Sequence, residues 1–245
     1  MKLSFVVPAY NEEAGLGRCL AAIVAQVAKC GCDAQIIVVN NASTDGTAAV
    51  AASFPSVLVV DEPQKGLYHA RRAGLAVADG DLVANVDADT VITDGWITRT
   101  LQEFATYPNM VALSGPYIYY DVSRTLRMFV KILYGAGYFF YMTNRFVFKV
   151  GSMMQGGNFI VRRKALEAIG GFNKDFVFYG EDTDLARRLS AIGDVKFTFR
   201  LPAMSSGRRL ISEGPLKIGL RYAMNFAWAT FFHKPFTETW IDIRS

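Results

Sequence analysis

Cysteine and histidine are scarce in this chain, and so are apolar runs of membrane length. Cys19, Cys30 and Cys32 are its three cysteines. An odd number without framework spacing excludes a disulfide scaffold and predicts reduced thiols in a cytosolic setting. Cys30-Gly31-Cys32 is not a CxxC pair and has no second pair, which argues against structural zinc. The two histidines, His69 and His233, read as ordinary structural or surface residues. The start, "MKLSFVVPAYNEE", lacks a charged leader with a long apolar core, so no signal peptide is expected. No internal repeat or low-complexity linker occurs. The basic residues are scattered and no nucleic-acid motif is present, which excludes nucleic acid as the expected partner.

What is there is a globular composition. The 245 residues are 51% hydrophobic, 13% aromatic and 20% charged. That suffices for a substantial core and argues against disorder. Net charge is +4, but it divides unevenly: residues 1–120 carry −5 and residues 121–245 carry +9. The split fits an acidic half that holds a cation and a basic half that meets anions. Chance variation between solvated faces would give the same numbers.

Short apolar runs alternate with helical patterns over residues 1–115. "LSFVVPAY", "QIIVV", "VLVVD", "DLVANVD" and "MVALSG" read as strands. Helices are predicted over 12–29, 46–53, 67–78 and 95–106, the first with Asn11 as N-cap and Leu16, Leu20, Ile23, Val24 and Val27 on one face. The alternation predicts an α/β fold with a mostly parallel, doubly wound sheet. Ligands on such sheets bind at the carboxyl ends of strands. Pro8-Ala9-Tyr10-Asn11, Asn40-Asn41 and Asp87-Ala88-Asp89 all fall there. From about residue 116 the chain turns aromatic and basic. A short strand and helix follow at "QGGNFIVRRKALEAIGGF", then a helix at "GEDTDLARRLSAIG" with Leu185, Leu189 and Ile192 on one side, then a strand "VKFTF". Residues 1–115 and 116–245 are expected to be two halves of one continuous domain.

"NVDADT" sets Asp87 and Asp89 on one strand face, where two bare carboxylates would repel. A hard divalent cation shared with a diphosphate would resolve the repulsion. A polar strand end capping the next helix through Thr90 or Asp94 is the plainer reading, but it leaves both carboxylates unexplained. An apolar strand ending in DxDxT also looks like the nucleophile motif of haloacid dehalogenase-type phosphatases, with Asp87 as nucleophile. That reading leaves the first 80 residues without a job.

"FVVPAYNEE", "IIVVNNASTDGT", "NVDADT", "GGNFIVRRKAL", "GGFN" and "GEDTDLARRL" occur in this order. Together they resemble the inverting glycosyltransferases of family 2, which have the Rossmann-like GT-A fold. The resemblance spans residues 3 to about 200. It implies sugar transfer from a nucleoside diphosphate donor to an acceptor hydroxyl, with Mg²⁺ or Mn²⁺. By position, Pro8, Ala9, Tyr10 and Glu12 would line the nucleoside pocket. Asn40 and Asn41 would face the base, and Asp45 would order the loop "NASTDGT". Arg71 would approach the ribose or diphosphate, unless it is a solvated arginine on its helix. Asp89 would bind the metal, with Asp87 nearer the ribose and metal. Gly156, Gly157, Asn158 and Glu181 would border the sugar or acceptor, though glycines alone also make a tight turn. Asp182 would be the general base, which takes the acceptor proton as the hydroxyl attacks.

Two departures stand out. Asn40-Asn41 replaces the usual acidic pair. An amide can accept the N3–H of uracil and donate to a neighbouring carbonyl, so UDP is favoured over GDP if one of these side chains reads the base rather than holding its loop. Also, "MSSGRRL" stands where many relatives carry a metal-binding histidine. Arg208 and Arg209 are candidates to clamp the diphosphate there, or else form a solvated basic pair. A nucleotide-sugar-binding protein without catalysis shares the donor-side residues.

Residues 132–144, "ILYGAGYFFYMTN", are uncharged but shorter than the ~20 residues of a membrane span. Arg124, Arg127 and Lys131 precede them; Arg145 and Lys149 follow. Residues 222–233 repeat the theme between Arg221 and Lys234. Such segments, 124–149 and 217–234, suit a peripheral contact with the inner face of an anionic membrane, and then a lipid-linked acceptor of the cell-envelope polysaccharide type. A core helix or an oligomer contact is the competing reading.

Overall fold

The computed structural model describes residues 1–148, 153–176 and 178–237. The first part alternates as the pattern predicts: β1 (Leu3–Ala9), α1 (Glu13–Cys30), β2 (Ala34–Asn41), α2 (Thr47–Ala52), β3 (Val57–Glu62), α3 (Leu67–Val77), β4 (Leu82–Val86), β5 (Val91–Ile92), α4 (Trp96–Thr106) and β6 (Met110–Ser114). Then come β7 (Tyr117–Tyr119) and the long α5 (Arg124–Thr143), which runs into a π-helical turn over 144–148. The remainder is β8 (Asn158–Arg162), α6 (Arg163–Ala168), α7 (Glu181–Ser190), β9 (Asp194–Phe197), β10 (Ala203–Ser205), α8 (Arg208–Glu213) and α9 (Pro215–Phe231).

Among the described residues the main sheet has seven strands in the order β3-β2-β1-β4-β8-β6-β9. β8 alone runs antiparallel to its neighbours β4 and β6. A second sheet, β5-β10-β7, covers one end of the fold. Side chains alternate across the main sheet. Leu3, Phe5 and Val7 join Leu16, Leu20, Ile23, Trp96 and Phe104 in a core beneath α1 and α4. Val6, Ile37 and Val39 face the other way, onto Ala70 and Ala78 at α3. Both faces are dry along β1, β2, β4 and β6, so these strands read as nearly unbroken apolar runs. A third cluster packs Leu166, Leu185 and Leu189 against β6, β8 and β9.

Several local expectations are corrected. Asn11 does not cap α1. Its backbone is left-handed (φ 49°), and its Oδ1 accepts from Thr44 N at 2.9 Å, which ties the end of β1 to the next loop. Neither Thr90 nor Asp94 caps α4, whose N-cap is Gly95 and which has no side-chain cap. Asp94 instead accepts from Gln26 and Lys29. Ile192 lies beyond the end of α7 and is exposed. Cys30 and Cys32 are joined as a disulfide across the left-handed Gly31, Cα atoms 5.3 Å apart, rather than remaining thiols. Cys19 is free and buried.

Candidate active site

The order β2-β1-β4 places a topological switch point between β1 and β4, where open α/β sheets take ligands. The register Ala9↔Asn40 brings the ends of β1 and β2 level, and β4 ends beside them just before Asp87. Pro8 and Tyr10 are half-buried there, Ala9 is buried, and Lys65 Nζ lies 3.8 Å from the centre of the Tyr10 ring. Asp45 does order its loop: it accepts from Thr47 N at 3.0 Å and Glu13 N at 3.2 Å.

The two asparagines part company. Asn41 Nδ2 donates to the Glu62 and Gln64 carbonyls, and its Oδ1 accepts from Gly66 N. Its amide is spent on holding the 62–66 loop. Asn40 Nδ2 donates to Asp61 at 2.8 Å, while its Oδ1 is buried without a partner.

Asp87 and Asp89 stand at the rim, half-buried. Asp87 Oδ2 accepts from Tyr117 OH at 3.1 Å. Burial, then the charge of Asp87, keeps that phenol well above its ordinary pKa, so it remains a donor. Tyr117 sits in "GPYIYY", which carries no motif, and sequence reasoning passed over it. The 156–157 turn closes on the same carboxylate. A Cβ on Gly157 would overlap both the Asp87 carboxylate and the Tyr117 hydroxyl, so only glycine admits this approach. A Cβ on Gly156 would lie 3.6 Å from Asp182 Oδ2. One tight turn therefore separates Asp87 from Asp182.

Arg208 reaches this rim from the start of α8. Its guanidinium pairs with Glu12 and, at 3.1 Å, with Asp89. Glu12 is thus an ion-pair partner, buried beneath Arg208, rather than a wall of an open nucleoside pocket. The loop before Arg208 is fixed by Asp121, which accepts from Gly207 N at 2.6 Å. Arg209 turns away. It meets Glu213 at 3.0 Å and lies over the Phe178 ring, and Glu213 also binds Arg221 of α9. The proposed pair of phosphate clamps is reduced to Arg208.

Arg71 is not solvated. It is 1% exposed, pairs with the 4% exposed Glu181, donates to Gly156 O, and lies over the Phe159 and Phe172 rings. Glu181 consequently points inward, toward Arg71. Asn158 is also structural: its Oδ1 accepts from Trp96 Nε1, and its Nδ2 donates to Gly115 and Leu201 carbonyls, each at 3.0 Å. These two polar side chains pin the turn that faces Asp87.

Asp182, next to Glu181 in the first turn of α7, keeps some solvent contact. A helix N-terminus lowers a carboxylate pKa. Burial and the adjacent Glu181 charge outweigh that and the Arg71 charge, and the carboxyl is pushed up to about 6. A group poised there can accept a proton near neutrality.

A divalent cation suits this rim by donor chemistry. Asp87 and Asp89 supply hard carboxylate oxygens, and Mg²⁺ commonly takes one or two carboxylates with substrate phosphates in its shell. Among the described residues no three His, Cys, Asp or Glu side chains gather to hold a cation unaided. Arg208 shows that the position between Glu12 and Asp89 accepts positive charge.

Residues 4–170 match the family described as "Glycosyl transferase family 2", and residues 144–208 match "N-terminal domain of galactosyltransferase". Among curated proteins, the chain is similar to Glycosyltransferase GlyA of Streptococcus pneumoniae (29% identical, covering 56% of this chain and 20% of that one). It is also similar to Probable glycosyltransferase YdaM of Bacillus subtilis (26% identical, 78% of this chain and 47% of that one). The chain thus spans less than half the length of either relative. Among solved structures it resembles the mannosyltransferase PcManGT from Pyrobaculum calidifontis in complex with GDP-Man and Mn²⁺, with a TM-score of 0.68 at 22% identity over 95% of this chain and 64% of that one. S. aureus TarS 1–349 in complex with UDP gives 0.64 at 16%, over 95% of this chain and 72% of that one. At these identities the likeness is one of fold.

Proposed function

This chain belongs to glycosyl transferase family 2 and has the GT-A fold, and from that premise we propose that it moves a sugar from a nucleoside diphosphate donor to an acceptor hydroxyl with inversion. The observation that carries the reading is the single turn, Gly156–Gly157, between a carboxylate with raised proton affinity and a carboxylate rim that suits a diphosphate.

In this reading Asp182 takes the acceptor proton as the hydroxyl attacks the anomeric carbon from the face opposite the leaving diphosphate. The 156–157 turn, braced by Arg71 and Asn158, fixes how far the base stands from the rim; orientation of this kind supplies a large share of such rate gains. Asp89 and Asp87 would hold Mg²⁺ or Mn²⁺, which when bound neutralises charge on the leaving diphosphate. Arg208 gives up Asp89 and turns to the diphosphate, for which a guanidinium is well shaped. Tyr117 orients Asp87. UDP is retained as the donor on narrower grounds than two amides: Asn40 Oδ1 has no partner and suits the uracil N3–H. A lipid-linked acceptor is the form that a peripheral membrane contact would supply. A phosphatase using Asp87 as nucleophile loses support, because the family match takes in residues 4–170 as a whole.

The test is turnover of UDP- and GDP-sugars with Mn²⁺ or EDTA, in wild type and Asp182→Asn. Loss of roughly 10²–10⁴ in turnover with donor affinity intact supports the reading. Full turnover by Asp182→Asn, or a phosphate adduct trapped on Asp87, sinks it. Donor binding without any turnover in wild type would indicate a non-catalytic binder.

A further inference from the structure

Two helices outside the site carry apolar stripes that are largely exposed. On α5, Met128, Ile132 and Phe139 follow helical spacing and fall on one face; Phe139 is 70% exposed. On α9, Leu216, Leu220 and Phe231 do the same, and Leu216 is 75% exposed. The helices approach each other at one point: a methyl group at Gly219 would lie 3.9 Å from Leu133 Cδ1. Contiguous exposed apolar surface of this extent marks an interaction site.

The charge around these stripes selects that partner. Neither residues 124–148 nor residues 214–237 contain a single Asp or Glu, yet they contain seven Lys and Arg. Arg124, Lys131, Lys217 and Lys234 are exposed. Two copies of such a face would bring like charges together, which disfavours a symmetric dimer through it. No helix among the described residues is long and apolar enough to cross a membrane. Lys149, at the edge of the segment expected from sequence, lies outside the described residues. Apolar stripes on helices that carry exposed Lys131 and Lys217 and no acidic residue of their own match a bilayer interface with anionic headgroups.

We propose that α5 and α9 together form a surface that docks on an anionic membrane. The docking is peripheral: side chains of the two stripes enter the headgroup and upper acyl region while Lys131 and Lys217 meet lipid phosphates. α9 also carries Arg221, which binds Glu213 at the end of α8, and α8 begins at Arg208. The docked helices therefore border the rim, and an acceptor presented by the membrane would need little travel to reach Asp182.

Vesicle sedimentation of the full chain tests the surface without donor or acceptor, so its outcome is independent of the sugar-transfer reading. Vesicles of phosphatidylglycerol with phosphatidylcholine should sediment the protein at low salt, at least tenfold better than phosphatidylcholine alone. Rising salt should release it. Lys131→Glu with Lys217→Glu should abolish binding, and Phe139→Ser with Leu216→Ser should weaken it at fixed charge. All four side chains are exposed, and a circular dichroism melt confirms the fold of each variant. Absence of binding to phosphatidylglycerol vesicles at every salt concentration would overturn the proposal. So would a dimer in sedimentation equilibrium that Phe139→Ser with Leu216→Ser dissociates, since a second copy would then be the occupant.

Discussion

Arg208 and Asp89 meet at 3.1 Å, although they come from opposite halves of the chain. Arg208 holds Glu12 through the same guanidinium. A positive side chain thus stands where the sequence pattern called for a metal ion, and the two should compete for Asp89. Arg208→Ala is expected to tighten Mn²⁺ binding in the absence of nucleotide, because the competing positive charge is removed. The same change should weaken UDP binding roughly 10- to 100-fold, from the loss of a charged hydrogen bond of about 1.5–3 kcal/mol. Isothermal titration of each ligand separates the effects. Unchanged Mn²⁺ affinity would show that the ion pair does not guard the metal position. Asp89→Ala is the companion variant and should make UDP affinity equal in Mn²⁺ and EDTA.

The raised proton affinity of Asp182 has two pH consequences of opposite sense. Catalysis needs the ionised carboxylate, so kcat/KM should rise with pH through about 6 and then level off. Stability runs the other way. A carboxyl whose folded pKa exceeds its unfolded value contributes stability that is fully present below the unfolded value, near 3.8, and is lost as pH rises through about 6. Asp182→Asn, which cannot ionise, should therefore melt higher than wild type at pH 8, by roughly 2–4 °C for each kcal/mol relieved. At pH 4 the two should differ little. Equal melting points at both pH values would remove the case for a strained carboxylate.

The buried pair Arg71–Glu181 should behave as a unit. Arg71→Met leaves Glu181 without its countercharge in a site of almost no solvent access. Losing one partner of such a pair typically costs about 3–5 kcal/mol. Arg71→Met with Glu181→Gln should recover much of that loss. Urea unfolding of the two single variants and the double variant makes the cycle. Additive losses would mean that the pair is not coupled.

Gly157→Ala is the steric test of the rim. The new methyl must displace Asp87 or Tyr117. The expected result is a large fall in kcat with a folded protein, whereas Gly156→Ala, whose methyl meets only ordinary contacts, should be milder. Comparable activities for the two variants would show that the turn can shift without harm.

The βα alternation over residues 1–115 was legible because β1, β2, β4 and β6 are buried on both faces and the edge strand β3 still carries a short apolar run. Strand direction was not. "NFIVR" reads as a short apolar run whichever way it points, and only its pairing with Val86 and Ser114 reveals the reversal. The rim carboxylates and Asp182 were legible through ordered motifs. Arg71 and Asn158 were not, because their roles depend on partners far along the chain: Glu181 for one, Trp96, Gly115 and Leu201 for the other. A motif keeps such residues in place without saying whether they touch a ligand or hold up those that do. Tyr117 had no motif to mark it. The disulfide at Cys30 and Cys32 was missed because CxC spacing offers no framework, yet the left-handed Gly31 folds the two thiols together.

A strand's polarity also works as an address. Because β8 opposes β4, with Asn158 opposite Val86, the chain enters β8 on the side where its neighbour leaves. Had the five residues of β8 run the other way, their leading turn would emerge about 16 Å off at the far edge of the sheet. Asp87 would then face a different loop. One reversed strand in an otherwise parallel layer thus lets segments from before and after it share an edge, and it binds the two halves of the chain through the direction of travel rather than through any side chain.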